Sequence, residues 1–265
     1  MKKLKNIIFI LIGFAVILYL VKPQLPILYD LGQKDMKIAK VSYFLEEIKK
    51  EPVIKSVDTN GKKLVALSID DGPDPIFTPQ LLDILQRYKV KATLFVVGES
   101  AEAYPELVKR ESKEGHELEN HTYSHVDLRS KNKLETEAEI QKSERILESL
   151  TGKKSHYFRP PRKQYINQTL EVAKRNGYQT VLWTICVENS KAKTPEEMAQ
   201  RVLNAARPGM IILAHDGRLD RSRTMEALPI IIEGLQKQGY EFVTLDELME
   251  ASPDHLARIE SLERI

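Results

Sequence analysis

The sequence predicts an α/β fold of about seven strand–helix units, arranged as a parallel sheet or a barrel. Short apolar runs such as residues 64–69 lack polar alternation, which is typical of strands buried on both faces. Amphipathic helical patterns alternate with these runs along the chain. The chain has 265 residues, 42% of them hydrophobic, and is close in length to the roughly 250 residues typical of an α/β barrel.

The elements follow one another in a regular order. Strands are predicted at residues 64–69, 93–97, 116–118, 157–158, 180–185, 210–213 and 241–245. Six helices are predicted between these strands. The first begins at Thr78-Pro79, the second contains Leu107 and Val108, and the third covers residues 134–150. The fourth ends at Gly177, the fifth begins at the Thr194 capping box, and the sixth lies around residues 230–235. Asn60-Gly61, before the first strand, is a hairpin-turn signal.

Composition excludes several classes of protein. Lys and Arg total 40 against 38 Asp and Glu, so the net charge of +2 gives no basic footprint for nucleic acid. Cys186 is the only cysteine, which excludes a disulfide scaffold. The apolar content is too high for a disordered chain. We expect a monomer that does not bind nucleic acid.

The first 22 residues form a separate segment. Lys2, Lys3 and Lys5 precede an apolar run at residues 7–21, which as a helix is roughly 22 Å long. No small-residue cleavage site follows, so we favour an uncleaved signal-anchor, a single-pass transmembrane helix, over a cleaved signal peptide or a buried helix. The lysines place the rest of the chain outside the cytoplasm, either membrane-attached or, as the alternative, secreted. Residues 23–59 are interpreted as a stalk and lead-in, 60–250 as the main domain and 251–265 as a helical tail.

Two neighbouring carboxylates follow the first predicted strand. Asp70 and Asp71 end an apolar run and precede a Gly-Pro turn. In β/α barrels the carboxyl ends of the strands carry the active site. Adjacent residues leaving a strand point in different directions, so one can bind a metal while the other abstracts a proton. The alternative is an Asp-rich turn that caps the next helix.

Two histidines are spaced for metal binding. His121 and His125 stand at i and i+4, which on a helical turn puts both imidazoles on one face. Together with a carboxylate, neutral imidazoles suit Zn²⁺ or a similar divalent ion. Such pairs also occur on solvated helices, so the interpretation depends on the aspartates.

Two further positions can complete a catalytic site. His215 ends an apolar strand and is a candidate general acid, although a lone His is also common in a core or on a surface. Arg159, before two prolines and Arg162, can pair with a carboxylate, or it can belong to a surface loop. The combination suggests a metal-assisted hydrolase with a general base and a general acid.

Four motifs then indicate a family. SIDDGP, GHELENHTYSH, FRPPR and ILAHD occur in an order and at spacings that resemble the polysaccharide deacetylase family, the NodB homology domain of carbohydrate esterase family 4. The resemblance covers about residues 60–250. It implies a distorted, incomplete (β/α)7-type barrel.

The resemblance also implies roles for individual residues. Asp71, His121 and His125 are the metal triad, expected to hold one divalent ion, Zn²⁺. Asp70 is the catalytic base for the attacking water, and Arg159 orients it.

The remaining implied roles concern the oxyanion and the leaving group. The backbone N–H of Arg162 binds the oxyanion, and His215 protonates the departing amine. The implied reaction removes N-acetyl groups from amino sugars of a polysaccharide, with peptidoglycan expected. Chitin-type oligomers, an exopolysaccharide or acetyl esters are alternative substrates. A catalytically silent wall-glycan binding protein is the alternative from another class.

Two departures from the family pattern are visible. Arg162-Lys163 replaces the usual Tyr-Gly, and an Arg there resembles the subgroup acting on N-acetylmuramic acid. Cys186 and Asn189-Ser190 replace an aspartate and an Asp-Trp pair, which leaves the partner of Arg159 open, with Glu188 as one candidate. Cys186 is interpreted as a buried structural thiol rather than a nucleophile.

Overall fold

The computed structural model describes residues 53–253. The strands are β1 (Val53–Ile54), β2 (Leu64–Asp70), β3 (Thr93–Val96), β4 (Glu117–Asn120), β5 (Tyr157–Phe158), β6 (Gln179–Val181), β7 (Ile185–Cys186), β8 (Met210–His215) and β9 (Glu241–Val243). The α-helices are α1 (Phe77–Tyr88), α2 (Gly98–Ala103), α3 (Pro105–Lys113), α4 (Lys133–Thr151), α5 (Asn167–Arg175), α6 (Pro195–Asn204), α7 (Ser222–Lys237) and α8 (Leu245–Glu250).

All strand pairs of the sheet are parallel, as the apolar runs predict. The order is β1-β6-β5-β4-β3-β2-β8-β7, with β9 also paired to β2. Strand β2 pairs with β8 from Val65 to Asp70, which brings Asp70 level with His215. Its other edge pairs with β9 near the start and with β3 near the end. The β2 carboxyl end is therefore central among the strand ends.

The predicted strand at 180–185 is divided in the structure, and this division curves the sheet. Its first half, β6, pairs with β5, and its second half, β7, pairs with β8. Only residues 182–184 separate the halves, so one segment joins both sides of the sheet into a distorted barrel. The division coincides with the carbonyls of Val181 and Leu182, which accept hydrogen bonds from the Arg159 side chain.

Side-chain alternation along β2 sets the position of the site. Val65, Leu67 and Ile69 pack in the core cluster shared with helices α1, α6 and α7. The intervening residues face the opposite side of the strand, the barrel interior, and end with the buried Ser68 and Asp70. Because strand side chains have a period of two, Asp70 must point inward.

Some local predictions need correction. The turn at Asn60-Gly61 forms with positive φ at both residues, but β1 pairs with β6 and not with β2, so no hairpin results. Helix α1 begins at Phe77 rather than at a Thr78 cap. The capping box at Thr194 is confirmed.

The predicted terminal segments fall outside the described residues. The anchor run at 7–21, residues 23–52 of the stalk and residues 254–265 of the tail belong to this part of the chain. Between residues 53 and 253, no helix is both long enough and apolar enough to cross a membrane.

Candidate active site

One pocket of about 300 Å³ opens at the carboxyl ends of the strands. It is lined by Asp70, Asp71, His121, His125, Arg162, Trp183, His215, Arg218 and Leu219. The structure thus brings together six of the seven residues predicted for catalysis, oxyanion binding and metal binding. The seventh, Arg159, lies directly beneath them with no exposed surface.

Arg159 fixes the position of Asp70 from below. One guanidinium nitrogen, Nη1, donates to Asp70 Oδ1 at 2.6 Å and to Ser68 Oγ at 3.0 Å. The other nitrogens donate to the carbonyls of Val181 and Leu182 at 3.1 and 2.9 Å. The guanidinium carbon, Cζ, also lies 3.9 Å from the centre of the Phe95 ring. A buried charge needs this degree of satisfaction, and the network holds the carboxylate of Asp70 in one orientation.

Asp71 faces the two histidines. Its φ of 80° is in the left-handed region, which turns the chain sharply where β2 ends. Its Oδ1 lies 3.0 Å from His125 Nε2 and 3.7 Å from His121 Nε2. The other oxygen, Oδ2, accepts a hydrogen bond from Arg221 Nη2 at 3.2 Å. Burial acts to raise the pKa of Asp71, but the hydrogen bonds from the two histidines outweigh it and hold the pKa well below its ordinary value.

The histidines lie on a loop after β4, not on the helical turn that their spacing suggested. Left-handed backbone at Thr122 and at His125 folds this loop so that both imidazoles approach Asp71. Glu139 of α4 accepts hydrogen bonds from the backbone N–H groups of Tyr123 and Ser124. The loop is therefore held from outside the site, and the i, i+4 spacing works without a helix.

The three predicted ligands fit a divalent ion. Asp71, His121 and His125 each offer one ligand atom, all within 4.8 Å of one another. The Arg159 carbonyl lies 2.7 Å from His121 Nδ1. A carbonyl can only accept, so Nδ1 of His121 carries a proton, and in a neutral imidazole the lone pair of Nε2 is then available to an ion. His125 Nδ1 is buried without a partner. One carboxylate and two imidazoles with further positions open is a donor set that Zn²⁺ accepts.

His215 is held by Glu188, on the opposite side of the pocket. Glu188 Oε2 lies 3.0 Å from His215 Nδ1, and Oε1 accepts from the His215 backbone N–H at 3.1 Å. The hydroxyl of Thr224 donates to the same Oε1 at 2.8 Å. Glu188 as a partner of Arg159 is therefore wrong, because its carboxylate is used by His215.

These contacts set the charge of His215. Burial acts to lower the pKa of the imidazole, but hydrogen bonds with Cys186 and Glu188, together with the Glu188 charge, raise it above its ordinary value. The carboxyl group responds in the opposite sense. Burial acts to raise the pKa of Glu188, and the bond with His215 lowers it overall. The pair therefore favours an imidazolium beside a carboxylate.

The rim of the pocket contains groups that sequence reasoning missed. Arg218 and Leu219 line the pocket from the loop after β8, and Leu219 is 68% exposed. Arg221, which contacts Asp71, also follows β8. No spacing or motif singles out these residues in one sequence. On the opposite rim, Arg162 and Lys163 both have left-handed backbone, which turns the third motif sharply at the pocket that Arg162 lines.

Comparison with known proteins agrees with this geometry. The pattern of the family described as polysaccharide deacetylase matches residues 57–181. A peptidoglycan-N-acetylglucosamine deacetylase of Bacillus cereus is 42% identical over 193 residues, which cover 72% of this chain and 90% of that protein. The peptidoglycan-N-acetylmuramic acid deacetylase PdaA of Bacillus subtilis is 36% identical over 194 residues, covering 71% and 72%. The crystal structure of a peptidoglycan N-acetylglucosamine deacetylase superposes with a TM-score of 0.73 at 36% identity, covering 78% of this chain and 97% of the other.

Proposed function

Because the chain belongs to the polysaccharide deacetylase family, we propose that it is a peptidoglycan deacetylase, a hydrolase that removes N-acetyl groups from amino sugars of the wall glycan. The observation that carries this proposal is the pocket itself. Asp70 with its buried arginine, the Asp71 and histidine cluster, and His215 with Glu188 converge on one cavity. Relatives of this chain are named for the same reaction on N-acetylglucosamine and on N-acetylmuramic acid.

A divalent ion on Asp71, His121 and His125 would act as a Lewis acid for hydrolysis of the acetyl group. Asp70 lies beside this cluster, with Oδ2 3.7 Å from His121 Nε2. Its other oxygen is engaged by Arg159, so Oδ2 is the atom that takes a proton from the attacking water. The hydrogen bond from Arg159 holds the carboxylate in one orientation during that transfer.

Two groups stabilise the later stages of the reaction. The backbone N–H of Arg162 donates to the oxygen that becomes negatively charged when water adds to the acetyl carbon. His215 donates a proton to the amine nitrogen as the C–N bond breaks, and Glu188 keeps its imidazole protonated and oriented. The two proton-transfer groups, Asp70 and His215, are level in neighbouring strands, so they flank one substrate position.

The place of action follows from the substrate and from the N-terminal sequence. Peptidoglycan lies outside the cytoplasmic membrane, and the lysines before residues 7–21 favour an orientation with the catalytic domain on that side. We therefore propose a single-pass membrane protein that acts on the wall. Fractionation and N-terminal sequencing test this. A soluble protein that begins after about residue 22 would instead indicate a cleaved signal peptide.

The reaction is tested by product analysis. Purified protein is incubated with intact peptidoglycan and, separately, with N-acetylglucosamine oligomers, and acetate release and product masses are measured. We expect acetate release and a mass loss of one acetyl group per modified sugar from peptidoglycan, with the modified sugar identified after digestion. Asp70→Asn serves as the control for contaminating activity. Binding to peptidoglycan with no acetate released by the wild type would contradict the proposal and favour a silent glycan-binding protein.

A further inference from the structure

A second group of metal-ligating side chains lies beside the active site. Cys186, Glu188 and His215 each offer one ligand atom, all within 4.8 Å of one another, and none of them belongs to the Asp71 and histidine cluster. We propose that these three residues form a separate binding site for a thiophilic divalent cation such as Zn²⁺. When filled, this site switches the enzyme off by taking His215 out of catalysis.

The donor atoms are close to the spacing that a tetrahedral ion requires. Glu188 Oε2 lies 3.2 Å from Cys186 Sγ and 3.0 Å from His215 Nδ1. Ligands placed about 2.0–2.3 Å from zinc lie roughly 3.5 Å apart, so a few tenths of an ångström of opening would admit the ion. Thiolate, imidazole and carboxylate are all zinc ligands, and the sulfur favours Zn²⁺ over Mg²⁺ or Ca²⁺.

The protein already orients these groups. The other oxygen of Glu188, Oε1, is anchored by the Thr224 hydroxyl and by the His215 backbone N–H, which leaves Oε2 directed at the other two donors. Arg201 donates to the Cys186 carbonyl and so holds the backbone that carries the thiol. Such outer contacts orient first-shell ligands in metal sites.

Access and charge also permit an ion. The side chains of His215 and Glu188 are 21% and 23% exposed, so solvent reaches the cluster. A thiolate and a carboxylate would together neutralise a divalent cation. The nearby guanidinium of Arg159 is already paired with Asp70 at 2.6 Å. The filled site would therefore carry no net charge.

Binding has a defined proton balance. The thiol proton of Cys186 leaves to the buffer as the sulfur–metal bond forms. The Nδ1 proton of the His215 imidazolium also leaves to the buffer, and the ion takes the lone pair that this exposes. The imidazole then keeps one proton, on Nε2, and loses its hydrogen bond to Glu188. A metal-bearing imidazole cannot carry the second proton that a general acid needs. This inhibitory consequence rests on the proposed role of His215, whereas the binding itself does not.

The binding test uses the fact that Cys186 is the only cysteine in the sequence. Full-length protein loaded with one equivalent of Zn²⁺ is titrated with Cd²⁺, and the ultraviolet thiolate-to-cadmium charge-transfer band is recorded. We expect the band to saturate at one further equivalent and to be absent in Cys186→Ser. Glu188→Gln should weaken Cd²⁺ binding, and so raise the Cd²⁺ concentration at the midpoint, on the order of 10–100-fold. His156→Ala, which removes an exposed imidazole elsewhere, should leave the titration unchanged.

Two results would overturn the proposed binding site. One is a wild-type protein without the band. The other is a band whose midpoint Glu188→Gln does not shift, because the thiol would then bind alone.

Acetate release is measured in parallel, each variant relative to its own activity at one equivalent of Zn²⁺. A second equivalent should inhibit the wild type and spare Cys186→Ser, and equal inhibition of both would refute the switch. A protein that releases no acetate from any glycan would contradict the proposed function and leave the spectroscopic result decisive for the site.

Discussion

Replacing Arg159 by methionine should lower the free energy of unfolding by about 3–5 kcal/mol, the cost of leaving a buried charge without its partner. The structure shows why the upper part of this range is expected. The guanidinium has no exposed surface and serves four acceptors, namely the carboxylate of Asp70, the hydroxyl of Ser68 and the carbonyls of Val181 and Leu182. Each buried neutral acceptor left unpaired adds about 1 kcal/mol or more.

The measurement is urea denaturation of the wild type and variants at constant pH. Arg175→Met is the matched control, because Arg175 is 59% exposed and its bond to Glu137 is worth about 0–1 kcal/mol. The double variant Asp70→Asn/Arg159→Met should lose less than the sum of the single variants, since each removes the partner of the other. A loss below about 1 kcal/mol for Arg159→Met, equal to that of the control, would refute the assignment of a buried ion pair.

Three further predictions concern the same pocket. Asp70→Asn should retain bound metal and lose roughly 10²–10⁴-fold in turnover, whereas Asp71→Asn should lose the metal. Metal analysis beside acetate release decides between them, and the opposite pattern would reverse the two roles. Glu188→Gln removes the carboxylate that raises the pKa of His215 against the effect of burial. Because a general acid is lost as the pH rises through its pKa, the alkaline limb of the pH–rate profile should move to lower pH, and an unmoved limb would contradict this coupling. Gly72→Ala should destabilise the fold, because the added Cβ would clash with the buried carboxylate of Asp216. An unchanged midpoint of urea denaturation would show that this carboxylate can move aside.

The strand ends and the polar residues that follow them are readable in the sequence. Apolar runs without alternation identify buried parallel strands, and the polar residues directly after them fall at one edge of the sheet. The placement of Asp70, Asp71 and His215 at this edge follows from that rule. The pair at His121 and His125 follows from spacing, although the structure presents it on a loop rather than a helix. These signals are local, so they can be read from the sequence without any knowledge of how the chain packs.

Contacts between distant segments depend on packing, and the sequence does not contain them in readable form. Glu188 has no motif that directs it to His215 rather than to Arg159, because both lie at the carboxyl ends of strands. The choice depends on β7 pairing with β8, which brings Glu188 next to the end of the latter strand. Arg221 reaches Asp71 across 150 residues of chain because β8, which it follows, pairs with β2, which ends at Asp70. Local propensity specifies which residues end a strand, whereas the order in which the strands pair and the curvature of the sheet determine which of those residues meet.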